Sequence, residues 1–109
     1  MKGWATFALA GVIAAQQAAA DGYVIGAGRW TCERALSASV GRALDKGQVY
    51  GWIFGAISQQ TFAGDTKFVD TIEQIGGARV AEIVFDECRK AAPDTELYKV
   101  VDKVVRALR

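Results

Sequence analysis

The chain has 109 residues, with thirteen basic and twelve acidic side chains, two cysteines and no histidine. A near-neutral balance argues against a nucleic-acid partner and against a polybasic membrane-surface role, both of which rest on a basic surface. The missing histidine takes away the commonest general base and metal ligand, and with the two cysteines bonded a zinc site would have no soft or imidazole ligand.

The opening MKGWATFALAGVIAAQQAAADG has the layout of a secretory signal peptide. Lys2 is a minimal positive region, Trp4 to Ala15 form an apolar run, and Ala18-Ala19-Ala20 supply small residues for cleavage before Asp21. The apolar run is shorter than the roughly 20 residues of a membrane-spanning helix. Residues 1–20 are therefore expected to be a signal peptide and residues 21–109 one exported domain. From Asp21 onward the chain carries twelve basic and twelve acidic side chains. A domain of this size has a marginal core without a covalent aid.

Cys32 and Cys88 are the only cysteines. In an oxidising compartment an even pair in a small domain reads as a structural disulfide. Two free thiols or a redox pair are the alternatives, and no C-x-x-C spacing favours the latter. Closing a loop of about 56 residues is worth on the order of 4 kcal/mol in the chain-entropy account.

Between the leader and Cys32, DGYVIGAGRW is expected to be a flexible, irregular lead-in; its glycines lack the spacing of a phosphate-binding loop. Thr31 is placed to cap a helix starting CERALSASVGRAL, whose Cys32, Leu36, Val40 and Ala43 share a face, with Gly47 as its stop. A second helix is predicted over about Gln48 to Phe62, and AGDTKFVDTIEQIGG follows as a linker with at most a helical turn. ARVAEIVFDECRKA is amphipathic, with Val80, Ile83, Val84 and Cys88 on one side. Pro93 breaks the chain, Asp94 is placed to cap the last helix, and Leu97, Val100, Val101, Val104, Val105 and Leu108 form its apolar stripe. The expected fold is all-α, a small single-domain bundle of about four helices with one disulfide.

The stretch GQVYGWIFGAI stands out. At about 100° per residue its bulky residues cover an arc of roughly 200°, wider than the arc of a little over 100° that one flank of a helix needs to bury. Gly47, Gly51 and Gly55 line the back. G-x-x-x-G drives membrane pairing only inside an apolar run of about 20 residues, and Gln48, Gln59 and Gln60 close this one too soon, so no membrane span is expected in the mature chain. The excess must be covered by two flanking helices, a second subunit or a client, so the helix is either the centre of a small core or, over part of its arc, an interface. Ser37, Ser39 and Ser58 lack an activating partner and the carboxylates are scattered singly, so no catalytic, cofactor-binding or metal-ligating residue is assigned and the chain is expected not to be an enzyme.

Trp30-Thr31-Cys32-Glu33 shortly after a signal peptide, the Gly51-Trp52-Ile53-Phe54-Gly55 helix, and the apolar helix from Ala81 to Cys88 together resemble the HdeA/HdeB family of periplasmic acid-stress chaperones. The resemblance implies a periplasmic helical protein bonded between Cys32 and Cys88 and homodimeric at neutral pH. In acid such a protein dissociates, partly unfolds and holds denaturing periplasmic proteins through exposed apolar surface. On that expectation Val49, Tyr50, Trp52, Ile53, Phe54 and Ile57 divide between core and a client or dimer surface. The alternative expectation is an exported interaction protein, similar in outline to immunity proteins that block secreted peptidoglycan amidases. The physics is compatible with an acid response: carboxylates protonate around pH 4, which leaves the mature chain's twelve basic side chains unopposed.

Overall fold

The disulfide expected between Cys32 and Cys88 is present, with the two Cα atoms 5.2 Å apart. The computed structural model describes residues 22–63 and 66–109, and the leader assigned to residues 1–20 lies outside them. In chain order the described elements are a 3-10 turn, Gly26–Arg29, and five α-helices. These are α1 (Cys32–Ser39), α2 (Ala43–Thr61), α3 (Thr66–Ile75), α4 (Gly77–Lys90) and α5 (Leu97–Leu108). The disulfide joins the first residue of α1 to the last turn of α4. The all-α fold is as expected, with one helix more than the sequence suggested.

Each helix turns an apolar side into a common core. From α1 come Cys32, Ala35 and Ala38; from α2, Val49, Ile53 and Ile57; from α3, Phe68; from α4, Val80, Ala81, Val84, Phe85 and Cys88. The stripe predicted on α5 is buried from Leu97 to Val105, with Leu108 half-buried against the rest. Burying a side chain of this size contributes about 1.5–3 kcal/mol.

Four local expectations are corrected. The first helix stops at Ser39, and Val40-Gly41-Arg42 form a corner: Gly41 N–H bonds to Ala38 C=O at 3.1 Å, tightening the last turn so that it ends. Val40, expected on the buried face, is therefore 84% exposed, and Gly47 lies inside α2 rather than ending a helix. The linker is in fact α3, because Phe68, Ile72 and Ile75 recur at helical spacing and pack on the core. Gly76 then turns the chain into α4 at φ +86°, a conformation that favours glycine.

The third correction concerns the start of α5. Asp94 does not cap it; the preceding residue is Glu96, held extended at φ −73° and ψ 139°. The cause is an antiparallel bridge between Thr31 and Glu96. Leu97 N–H bonds to Trp30 C=O at 2.8 Å and Cys32 N–H to Thr95 C=O at 2.7 Å. Glu33 N–H reaches Pro93 C=O at 3.1 Å, while the Thr31 hydroxyl accepts from Arg34 N–H at 3.2 Å, as its capping role predicts. Lastly, the glycine-rich lead-in is not a loose tether: it packs as the 3-10 turn with Ala27 and Gly28 buried.

Replacing both cysteines with serine should lower the unfolding free energy by about 4 kcal/mol, read as a shift in urea midpoint against the oxidised protein. Native protein should show no thiol reactive towards Ellman's reagent.

Candidate functional site

Helix α2 carries every residue assigned to a client or dimer surface, and the structure sorts them by direction. Val49, Ile53 and Ile57 point inward and are core residues, at most 5% exposed. Tyr50 lies on one flank, half-buried, its ring 5.3 Å from Phe85 in an edge-on arrangement and 5.9 Å from Phe54. Such pairs add about 0.5–1.5 kcal/mol each beyond burial. Phe54 remains 40% exposed.

Trp52 lies on the other flank and is pinned by the segment before α1. Its indole N–H donates to the Ile25 carbonyl oxygen at 2.8 Å. Its six-membered ring sits where a side chain on Gly28 would have to be: a Cβ there would lie 2.1 Å from the indole. Gly28 is thus required by close approach, and Trp52 is a half-buried docking post for the lead-in. The salt bridge Arg29–Glu96, at 3.8 Å, fastens the same segment to the start of α5.

The back of α2 is different in kind. Gly47, Gly51 and Gly55 face open space, with nothing within 4 Å of where their Cβ atoms would be. Leu44 and Phe62, which sequence reasoning did not assign, lie on the same outward line at about 100° per residue, and are 72% and 82% exposed. No charged residue occurs from Gly47 to Ala63. A solvated helix face ordinarily carries charge, and each glycine costs a helix about 1 kcal/mol relative to alanine. Packing within this molecule does not explain those glycines.

Electrostatic fasteners are few and lie at the surface. Arg79–Glu82, Arg89–Asp86, Lys90–Glu87 and Arg106–Asp102 are contacts within single helices. Arg29–Glu96 and Lys103–Glu87, the latter at 3.2 Å, join separate elements. The hydrogen bond from Lys103 and then the nearby charge of Lys90 hold the Glu87 carboxyl below its ordinary pKa. Among the described residues no group of three or more His, Cys, Asp or Glu could hold a metal ion, and no helix is long and apolar enough to cross a membrane.

The two kinds of glycine predict opposite outcomes. Gly28→Ala should destabilise the fold by about 1–3 kcal/mol and shift Trp52 fluorescence towards that of a solvated indole. Gly51→Ala should leave the monomer's fold intact and stabilise it by up to about 1 kcal/mol. Thermal melts of the two variants at low protein concentration check both.

No family model, curated protein or solved structure matches this chain.

Proposed function

We propose that this chain is an exported acid-stress holdase, a homodimer near neutral pH that loosens in acid and shields denaturing proteins with apolar surface. The observation that carries the proposal is the helix α2, uncharged from Gly47 to Ala63, with one side in the core and the other in solvent. Its outward line is nearly self-complementary. An antiparallel two-fold pairing centred on Ile53 would set Gly51 against Gly55 of the second copy and Leu44 against Phe62 of the second copy. Small residues permit close backbone approach there, and a symmetric patch of this kind fits a two-fold dimer. The Trp30-Thr31-Cys32-Glu33 resemblance supports the same reading from the sequence.

Acid acts on this arrangement in two ways. Every ion pair described above uses a carboxylate, so protonation removes the Arg29–Glu96 and Lys103–Glu87 links between elements. Protonation also leaves twelve basic side chains in the mature chain with no opposing charge. The disulfide does not titrate in this way, so the loosened chain stays tethered between α1 and α4. Val49, Ile53 and Ile57 would then join Phe54 and Phe62 as surface open to a client.

The protein should suppress aggregation of a model periplasmic protein at about pH 2–3, below the carboxylate range, and have little effect at pH 7. Sizing should show a dimer at pH 7 and a monomer at pH 3. Equal light scattering with and without the protein in acid would reject the proposal, and so would a stoichiometric complex with an envelope hydrolase at pH 7.

Glu87 gives the pH dependence a definite sign. Its folded pKa is lowered, so its contribution to stability is present above the ordinary carboxylate pKa and is lost as pH falls through the lowered folded value. Glu87→Gln should therefore melt earlier than the parent at pH 7, and the two melting curves should converge at pH 2.

A further inference from the structure

Beside the pinned lead-in runs an open groove of about 1080 Å³. One wall is the chain from Gly22 to Ile25 with Arg29 beyond it, and the others are outward faces of α2 and α5. Trp52, Ala56, Gln59 and Gln60 face it from α2, and Tyr98, Asp102 and Arg106 from α5, both sets at helical spacing. We propose that this groove is a binding site for a neutral oligosaccharide, a role separate from the holdase reading and exercised by the folded protein.

The lining has the chemistry a sugar requires. A pyranose ring offers a face of C–H bonds, whose positive edge suits the negative face of an aromatic ring. Tyr23, Trp52 and Tyr98 supply three rings along the groove. Trp52 is preorganised, because the Ile25 carbonyl holds its indole N–H and the absent side chain of Gly28 seats its ring. Sugar hydroxyls are donors and acceptors at once; the Gln59 amide offers both functions in return, while Gln60, whose carbonyl oxygen accepts from Arg109 at 2.6 Å, offers its amide donors.

The charges in the groove argue against an acyl chain, and two of its three cations are already paired, which counts against an anion. Arg29 and Arg106 are already matched by Glu96 and Asp102, so an anion would have to break those pairs to gain them. Lys99 brings a positive charge with no ion pair among the described contacts, and its ammonium lies 5.9 Å from the Tyr98 ring centroid. An acyl chain would bury five charged groups against hydrocarbon, at high cost. A neutral, hydroxyl-rich chain meets neither obstacle, and a wide groove leaves room for bridging water.

The test is a two-dimensional amide and indole NMR titration of the disulfide-bonded protein at pH 7 with chitotetraose and with maltotetraose. At least one should give saturable shifts at the Trp52 indole and the Gly22–Ile25 amides, with a Kd of about 0.1–1 mM. Tyr98→Ala and Gln59→Ala, both surface changes, should each weaken binding about tenfold, while Val40→Ala, at the far corner between α1 and α2, should bind as the parent does. No saturable shift with either sugar up to about 10 mM overturns the proposal. Shifts that Tyr98→Ala and Gln59→Ala leave unchanged also overturn it, as does equal saturation by inorganic phosphate. Because the measurement is made on the folded protein at neutral pH, its failure leaves the acid aggregation result standing, and the reverse holds too.

Discussion

The fold depends on one junction, where the Cys32–Cys88 bond and a short backbone exchange meet. Helix α1 has only eight residues, too few to persist alone in water. Its first N–H groups would be unsatisfied at an isolated helix end, yet Cys32 and Glu33 donate to Thr95 and Pro93 across the junction. The Arg34 guanidinium covers the Trp30 ring from 3.9 Å, so the same few residues also close the outer side. The tetrapeptide Trp30-Thr31-Cys32-Glu33 is therefore a structural unit: it caps α1, bonds α4 and sets the first residue of α5. Remove it and α1 loses its start and its covalent tie to α4.

That junction divides the stabilising interactions by their response to pH. The disulfide, the backbone bonds and the apolar core carry no titrating group. The ion pairs do, but they lie at the surface, where water and salt screen them, so each adds little. Their loss alone is a weak trigger. The larger effect of acid is the net charge, since a chain balanced at neutral pH becomes uniformly basic. Repulsion of that kind acts on the whole surface and favours expansion, while the covalent link between α1 and α4 limits how far expansion goes. On the proposed acid response, that limit would favour a reversible loosening over complete unfolding.

The stripes of α4 and α5 were legible in the sequence because the apolar residues repeat at helical spacing over several turns with charges between them. The cysteines were legible because there are only two. Helix α3 was missed because its apolar positions, Phe68, Ile72 and Ile75, are few and sit between glycines that read as a linker. The start of α5 was misplaced at Asp94 because a long-range bridge to Thr31, invisible to local propensity, holds Glu96 extended. The site was only half legible. The broad apolar arc of α2 was visible, but assigning Gly47 as a helix stop put Leu44 on the preceding helix. Its alignment with Gly51, Gly55 and Phe62 could appear only once α2 was known to begin at Ala43.

Gly28 and Gly51 show why a residue type alone could not settle what α2 does. Gly28 is glycine because the Trp52 ring occupies the space of any side chain, so the fold itself selects it. Gly51 and Gly55 have open space beyond them and lie in a helix that alanine would stabilise. A position where the isolated molecule would gain from a change, on a face that lacks charge, is poorly explained by folding. On the proposed dimer, close approach by a second copy would explain it, because a glycine surface lets another backbone come near. Helix α2 thus has one side shaped by its own core, one flank shaped by the lead-in that Trp52 holds, and a glycine-lined back with open space beyond it.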